Sequence, residues 1–280
     1  MADAAPGRYA VFGNPIAHSR SPWIHRRFAA QTGRRVDYEA ILAPRDGFAA
    51  ALEAFHRAGG RGANVTLPFK EEAWRLADEC SARARRARAV NTLVLRADGT
   101  RFGDNTDGAG LLRDLSVNLG LELAGGRILL LGAGGAARGV LGPLLEAGPA
   151  RVHIANRTAE RARALAGEFA PSGAVSAGGL DALPQGPFDL VLNATSAGVG
   201  GTLPPLPPGR WAAGAFCYDL AYGPAARPFL DWAKAQGARD ASDGTGMLVE
   251  QAAESFALWH GVRPQTTEII AALRRGMPAV

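Results

Sequence analysis

Cysteine, lysine and long apolar runs are scarce in this chain, and each scarcity narrows what it can be. The 280 residues include two cysteines, Cys80 in a helical pattern and Cys217 in a strand pattern, without the spacing of a redox pair or a metal site. Two buried, reduced thiols are the expectation. The five histidines are scattered, so local spacing assembles no zinc site and no metal is expected. No apolar run approaches the ~20 residues that a membrane-spanning helix needs. Residues 1–7 lack the basic and apolar regions of a signal peptide, so a cytoplasmic protein with no membrane contact is expected. A hydrophobic content of 47% and the lack of a long polar tract argue against disorder. The length suits two modest domains, each with its own core.

The formal charge of +5 raises the question of nucleic acid. Basic residues are spread along the chain, and the one cluster, residues 81–88, has no aromatic interleaving. It reads as a solvated helix face, so no nucleic-acid partner is expected, and the mild excess fits an anionic cofactor and substrate. Of the 31 basic residues, two are lysine, Lys70 and Lys234, and the other 29 are arginine. A lysine between Pro68-Phe69 and Glu71 therefore draws notice, because lysine can give up its proton inside a protein and arginine effectively cannot.

The rest of the chain is organised around Arg127-Ile-Leu-Leu-Leu-Gly-Ala-Gly-Gly-Ala-Ala-Arg-Gly139. Residues 128–131 form an unbroken apolar run, short enough for a strand buried on both faces of a parallel sheet. It stops at Gly132, and Gly132-x-Gly134-x-x-Ala137 opens an amphipathic helix marked by Val140, Leu141, Leu144 and Leu145. This is the dinucleotide fingerprint of a Rossmann-type unit, in which helix amides face a pyrophosphate. An acid about 20 positions on would hold the ribose 2′-hydroxyl of NAD. The second strand ends instead in Asn156-Arg157-Thr158. Arg157 suits adenine stacking and a 2′-phosphate, and Arg161 lies in a first helical turn, where a bound phosphate would offset an unfavourable dipole. NADP is the expected cofactor; the alternative is a pair of solvated arginines.

Before the fingerprint, strands are expected at 9–12, 36–42 and 62–65, with helices from Pro22 to a stop at Gly33, over 48–55, and after Lys70. Residues 91–95 pair with 100–102 around the turn signal Asp98-Gly99. Residues 107–119 read as a helix crossing to the second domain. Beyond the fingerprint, strands fall at 152–155, 190–193 and 216–219, and helices at 159–169, 247–259 and 266–275; residues 198–209 read as a mobile loop, with a plain surface connection as the alternative. The fold class is α/β: two parallel-sheet domains with a cleft between them.

Four polar constellations end apolar elements of the first domain: Ser19 and Ser21; Asn64, Thr66 and Lys70; Asn91; and Asp104, Asn105, Thr106 and Asp107. Ligands of open α/β sheets lie beyond the carboxyl ends of the strands. Hydroxyls and amides in such numbers suit a small polyhydroxylated ligand, whose hydroxyls each need a donor and an acceptor. Each residue also has a local role open to it: Thr66 or Ser21 as a cap before proline, and Asp107 as an N-cap.

Along nearly its whole length the chain resembles the shikimate dehydrogenase family. The matching stretches are Gly13-Asn-Pro-Ile-Ala-His-Ser-Arg-Ser-Pro22, Asn64-Val-Thr-Leu-Pro-Phe-Lys70, Ala89-Val-Asn-Thr92, Gly103-Asp-Asn-Thr-Asp-Gly108, the glycine loop, Asn156-Arg-Thr158, Asn193-Ala-Thr-Ser196 and Asp243-Gly-Thr-Gly-Met-Leu-Val-Glu-Gln251. The resemblance implies reversible hydride transfer between NADP(H) and the 3-dehydroshikimate/shikimate pair, on the route to aromatic amino acids. It implies a substrate-binding, catalytic domain at 1–107 plus 246–280 and an NADP-binding Rossmann domain at 108–245. By motif position, Ser19 and Ser21, helped by Tyr222, would hydrogen-bond the substrate carboxylate. Asn64, Thr66, Asn91, Asp107 and Gln251 would hold the ring hydroxyls. Lys70 and Asp107 would flank the reacting C3 oxygen, with Lys70 as proton relay. Gly132, Ala133, Gly134, Gly135, Ala136, Asn156, Arg157, Thr158, Arg161, Thr195, Leu220, Gly244 and Met247 would line the NADP site.

Thr158 and Ser21 match the shikimate/NADP form of the family, in contrast to relatives that also oxidise quinate or prefer NAD. Leu220 departs from the methionine often found beside the nicotinamide, a change of similar size. Two other readings stand beside this one: a quinate/shikimate dehydrogenase of broader range, and a catalytically silent NADP-binding sensor. The second predicts loss of Lys70 or Asp107, and both are present. A monomer or a homodimer fits equally.

Overall fold

A computed structural model describes residues 5–184, 186–195, 202–203, 206 and 211–276. The expected connection at 198–209 therefore lies, apart from Thr202, Leu203 and Leu206, outside the described residues, as does Ser196. The chain divides into two compact units, 1–110 with 249–280, and 111–248.

The first unit begins β1 (Gly7–Gly13), α1 (Ser21–Thr32), β2 (Val36–Leu42), α2 (Phe48–Arg57), β3 (Gly60–Val65) and α3 (Lys70–Leu76). Pro22 occupies the first turn of α1, and Gly33 closes that helix at φ 65°, a left-handed conformation that glycine adopts without Cβ strain. There follow β4 (Glu79–Cys80), α4 (Ala82–Ala87), β5 (Thr92–Leu95) and β6 (Arg101–Asp104). The strand order is β2-β1-β3-β5-β6-β4. β1, β2 and β3 are mutually parallel, while the expected hairpin makes the β3–β5 and β5–β6 pairs antiparallel. Phe12, Phe48, Phe55, Phe69 and Leu93 fill the core between this sheet and its helices.

The helical pattern around Cys80 is overridden. Glu79 and Cys80 pair in parallel with Phe102 and Gly103, and the thiol is half-buried. Gly103 permits this, since a Cβ there would lie 2.7 Å from Val90 and 3.4 Å from the Cys80 sulfur.

α5 (Asp107–Arg113) leads into the second unit and continues as a π-helical turn over Asp114–Asn118. Then come β7 (Arg127–Leu131), α6 (Gly135–Glu146), β8 (Arg151–Asn156), α7 (Ala159–Phe169), β9 (Val175–Gly179), β10 (Leu190–Asn193), β11 (Phe216–Asp219), α8 (Arg227–Ala235) and β12 (Asp240–Ser242). The order β12-β11-β10-β7-β8-β9, parallel throughout, is that of the doubly wound dinucleotide-binding sheet. Its strand order reverses between β7 and β10. Ile128 to Leu131 are at most 1% exposed, as a strand covered on both faces must be. α9 (Thr245–His260) returns the chain to the first unit, which α10 (Thr267–Arg274) completes.

Candidate active site

In the first unit, sheet register explains why distant sequence motifs meet. Asn64 on β3 lies opposite Thr92 on β5, and Thr92 lies opposite Asp104 on β6. The antiparallel hairpin thus delivers Asn91, just before β5, and residues 105–107, just after β6, to the edge where parallel β1 and β3 end. A wholly parallel sheet would send Asn91 to the opposite edge.

Lys70 is the first residue of α3, and its Nζ donates to Asp107 Oδ2 at 2.6 Å. Their side chains are 17% and 8% exposed, so the pair is mostly withdrawn from solvent. One of three ammonium donors is engaged this way. Asn91 Nδ2 lies 2.8 Å from Asp107 Oδ1, 2.9 Å from Thr106 Oγ1 and 3.3 Å from Gln251 Oε1. Its Oδ1 accepts from the Thr106 amide at 2.8 Å and the Thr92 hydroxyl at 3.0 Å. Lys70, Asp107, Asn91 and Gln251 therefore form one network.

Asn64 joins that network from behind, with Nδ2 3.2 Å from the Asn91 carbonyl, 3.1 Å from Thr92 Oγ1 and 3.0 Å from Ser255 Oγ. Ser19 Oγ accepts from the Ser21 amide at 3.3 Å, and Ser21 is buried. Thr66 is half-buried, its amide bonded to the Phe12 carbonyl. The capping alternative is not realised for either hydroxyl: the N-caps of α1 and α3 are Arg20 and Phe69, without a side-chain bond.

The basic cluster at 81–88 is not only a solvated face. Arg83 donates to both carboxylate oxygens of buried Asp104, at 2.7 and 2.5 Å, and Ser81 bonds the same group. Burial pushes the Asp104 carboxyl up, and the Arg83 guanidinium, the Ser81 hydroxyl and the Asn105 amide together hold the group below the usual carboxylate range. Asp104 accepts the Asn105 amide at 2.7 Å, and Asn105 Oδ1 accepts the Asp107 amide at 3.2 Å, so Arg83 braces the turn that carries Asp107.

In the second unit, Gly132 follows β7 at φ 106°, and a Cβ there would come within 3.0 Å of the Ala194 carbonyl. Gly134 and Gly135 have open space where a Cβ would stand. The first-turn amides of α6, which an α-helix leaves without intrahelical partners, stand beside this open space together with Ala133 and Ala136, and a set of donors there fits a pyrophosphate. Asn156 Nδ2 bonds the Thr158 carbonyl at 3.0 Å, shaping the turn after β8. Arg157, Thr158 and Arg161 are exposed there; no acid follows Asn156-Arg157 directly, and the nearby Glu160 pairs with Arg163 at 3.2 Å. At the end of β10, Asn193 Oδ1 accepts from the Thr195 hydroxyl at 2.8 Å, while its Nδ2 donates to Asp219 at 2.9 Å. Burial pushes the Asp219 carboxyl up to about 6, against the hydrogen bonds from Ala221 and Asn193. The turn bearing Leu220 and Tyr222 is tied by the Gly244 amide to the Ala221 carbonyl, 2.8 Å, and by the Gly223 amide to Asp243, 2.9 Å. A Cβ on Gly244 would lie 2.5 Å from the Leu220 carbonyl oxygen, and Met247 is buried. Tyr222 thus belongs to the unit that does not hold Ser19 and Ser21.

Among the described residues, no group of three or more His, Cys, Asp or Glu side chains could hold a metal ion, and no helix is long and apolar enough to cross a membrane. Family models match residues 11–93 as the shikimate dehydrogenase substrate binding domain, 115–198 as shikimate/quinate 5-dehydrogenase, and 244–274 as the shikimate 5′-dehydrogenase C-terminal domain. A shikimate dehydrogenase (NADP(+)) from Alkalilimnicola ehrlichii is 58% identical over 267 residues, 95% of this chain and 98% of that protein. This chain belongs to the shikimate dehydrogenase family.

Solved structures agree with that membership. Shikimate 5-dehydrogenase from Thermus thermophilus, in complex with NADP(H) and shikimate, is 38% identical, with a TM-score of 0.82 over 96% of this chain and 99% of that one. An Ael1 enzyme from Pseudomonas putida is 49% identical, with a TM-score of 0.87 over 95% and 98%. Sequence reasoning about this dehydrogenase missed Tyr38, Ser255 and Arg83, which touch the motif residues from behind. Ser255 had a usable signal, standing four residues after Gln251 and so on the same helix face.

Proposed function

We propose that the chain catalyses the reversible, NADP(H)-dependent reduction of 3-dehydroshikimate to shikimate, in the cytoplasm, as a monomer or homodimer. Residues 1–107 with 246–280 would bind the substrate and 108–245 the dinucleotide. The observation that carries the reading is the Lys70–Asp107 pair, held at 2.6 Å and ringed by amide and hydroxyl side chains. Ser19, Ser21 and Tyr222 take the substrate carboxylate, while Asn64, Thr66, Asn91, Asp107 and Gln251 take the ring hydroxyls.

Bound NADPH supplies the hydride that C3 needs. Lys70 protonates the C3 oxygen as the ketone is reduced and takes the proton back in the oxidative direction. Asp107, fixed by Asn91 and by its amide bond to Asn105, keeps the ammonium aimed at that oxygen. The residues around Gly132, Gly134 and Gly135 would hold the pyrophosphate, and Arg157, Thr158 and Arg161 the adenosine end with its 2′-phosphate.

A broader quinate/shikimate dehydrogenase is the second reading, favoured by the shikimate/quinate family model over 115–198. Purified protein assayed with shikimate plus NADP and with quinate plus NAD separates the two. The first combination is expected to dominate; comparable rates for both would favour the broader enzyme. No turnover of either would refute both.

A further inference from the structure

We propose that Tyr38 is a positioning residue that anchors the side-chain oxygen of Asn64, whose amide is oriented by the Asn91 carbonyl, and so holds that oxygen in place as an acceptor for a ligand hydroxyl. The inference rests on the reading above that Asn64 holds a ring hydroxyl of the substrate. Tyr38 is the inward-facing, 3%-exposed residue of β2, and its hydroxyl lies 2.7 Å from Asn64 Oδ1. The direction of that bond follows from the far side of the amide. Asn64 Nδ2 faces the backbone carbonyl of Asn91, which can only accept, so the NH2 must point there and the oxygen must face the phenol. Tyr38 is therefore the donor. Burial, opposed by a hydrogen bond from Ser21, raises its pKa well above the ordinary value and keeps that proton in place.

The count of donors and acceptors then fixes what Asn64 can offer. Its two amide hydrogens meet three acceptors, Asn91 O, Thr92 Oγ1 and Ser255 Oγ. No N–H is left for a ligand, so what Asn64 can offer is its Oδ1, which Tyr38 holds at 2.7 Å and which also lies on the side of buried His25. A ligand hydroxyl that donates is welcome there; an ether, a ketone or a fluorine is not. The phenol is held rigidly for this task, stacked on buried His25 with ring centroids 4.2 Å apart and planes 6° apart. Its contact with Ser21 links the amide to the start of α1, where the carboxylate-binding serines stand.

The test is a double-mutant cycle read as KM against kcat, with shikimate and NADP. Tyr38→Phe removes one oxygen and is expected to raise the shikimate KM about 10-fold, the size of one positioning hydrogen bond, with kcat changed far less. In an Asn64→Ala background the same change should add nothing. An unchanged KM in Tyr38→Phe, or an equal rise in both backgrounds, overturns the inference while leaving the function intact. Binding of analogues with fluorine replacing each ring hydroxyl in turn, to the unmutated enzyme and to Asn64→Ala, gives an arm independent of whether Tyr38→Phe folds. For one analogue the loss, about 10-fold, should vanish in Asn64→Ala, while losses at the hydroxyls held by other residues persist there. Losses that are the same in the unmutated enzyme and in Asn64→Ala for every analogue overturn the inference. Failure of the unmutated protein to bind shikimate overturns the site reading, and the inference with it.

Discussion

Lowering the pH from 7 to 5 should destabilise this protein through His25, and the structure gives the size. His25 is fully buried beside Phe28, Tyr38, Phe256 and Trp259, and neither ring nitrogen has a hydrogen-bond partner among the described residues. Burial, and then the nearby His260, push its pKa down to about 3, against an opposing contact with the Asn64 side chain. The sign follows from linkage: between about 6.5 and about 3 the unfolded chain binds a proton that the folded chain refuses, so stability is present above that window and falls as pH falls through it. At pH 5 the unfolded histidine is 1.5 units below its titration point, which at ~1.4 kcal/mol per unit is a loss of about 2 kcal/mol. Urea unfolding of the protein and of His25→Phe at pH 7 and pH 5 isolates this contribution, since the carboxylates common to both cancel in the difference. The unmutated protein should lose about 2 kcal/mol more than the variant between the two pH values. Parallel losses would refute the reasoning and show that the ring can protonate in place.

Two further substitutions probe the second unit. A Cβ on Gly246 would overlap the carboxylate of buried Asp114, which accepts the Tyr218 hydroxyl at 2.7 Å, so Gly246→Ala should destabilise by roughly 1–3 kcal/mol; thermal unfolding reads this, and an unchanged midpoint would contradict it. Arg157→Ala should weaken NADP about 10- to 100-fold, the range for a hydrogen bond to a charged group, and leave NAD nearly unaffected. Titration with both nucleotides decides that, and equal losses would take Arg157 away from the 2′-phosphate.

The elements legible in the sequence were those whose pattern is set by their own residues. β7 is an apolar run ended by glycine, α1 has Pro22 at its start and Gly33 at its stop, and the Asp98-Gly99 turn marks the hairpin. What escaped notice depends on partners elsewhere in the chain. β9 reads Val-Ser-Ala-Gly-Gly and is a strand because β8 lies beside it; β12 is three residues long and is defined by β11. α8 sits among glycines and prolines, and it is helical because Phe229 and Ala233 bury one face. Cys80 reads as helical from its neighbours, yet its pairing with Gly103 outweighs local preference. The site divides in the same way. Lys70, Asp107, Asn91 and Gln251 lie in recognisable motifs, whereas Tyr38, Ser255 and Arg83 act through another side chain and leave only a burial or spacing trace.

Lys70, at the head of α3, carries the proposed proton transfer. Turnover of shikimate with NADP should be robust in the purified protein and fall 10²-fold or more in Lys70→Ala, within the ~10²–10⁴ typical of a general acid–base group, while the dissociation constant for NADP stays near normal. A Lys70→Ala enzyme with an undiminished rate would remove the proton relay and contradict the mechanism.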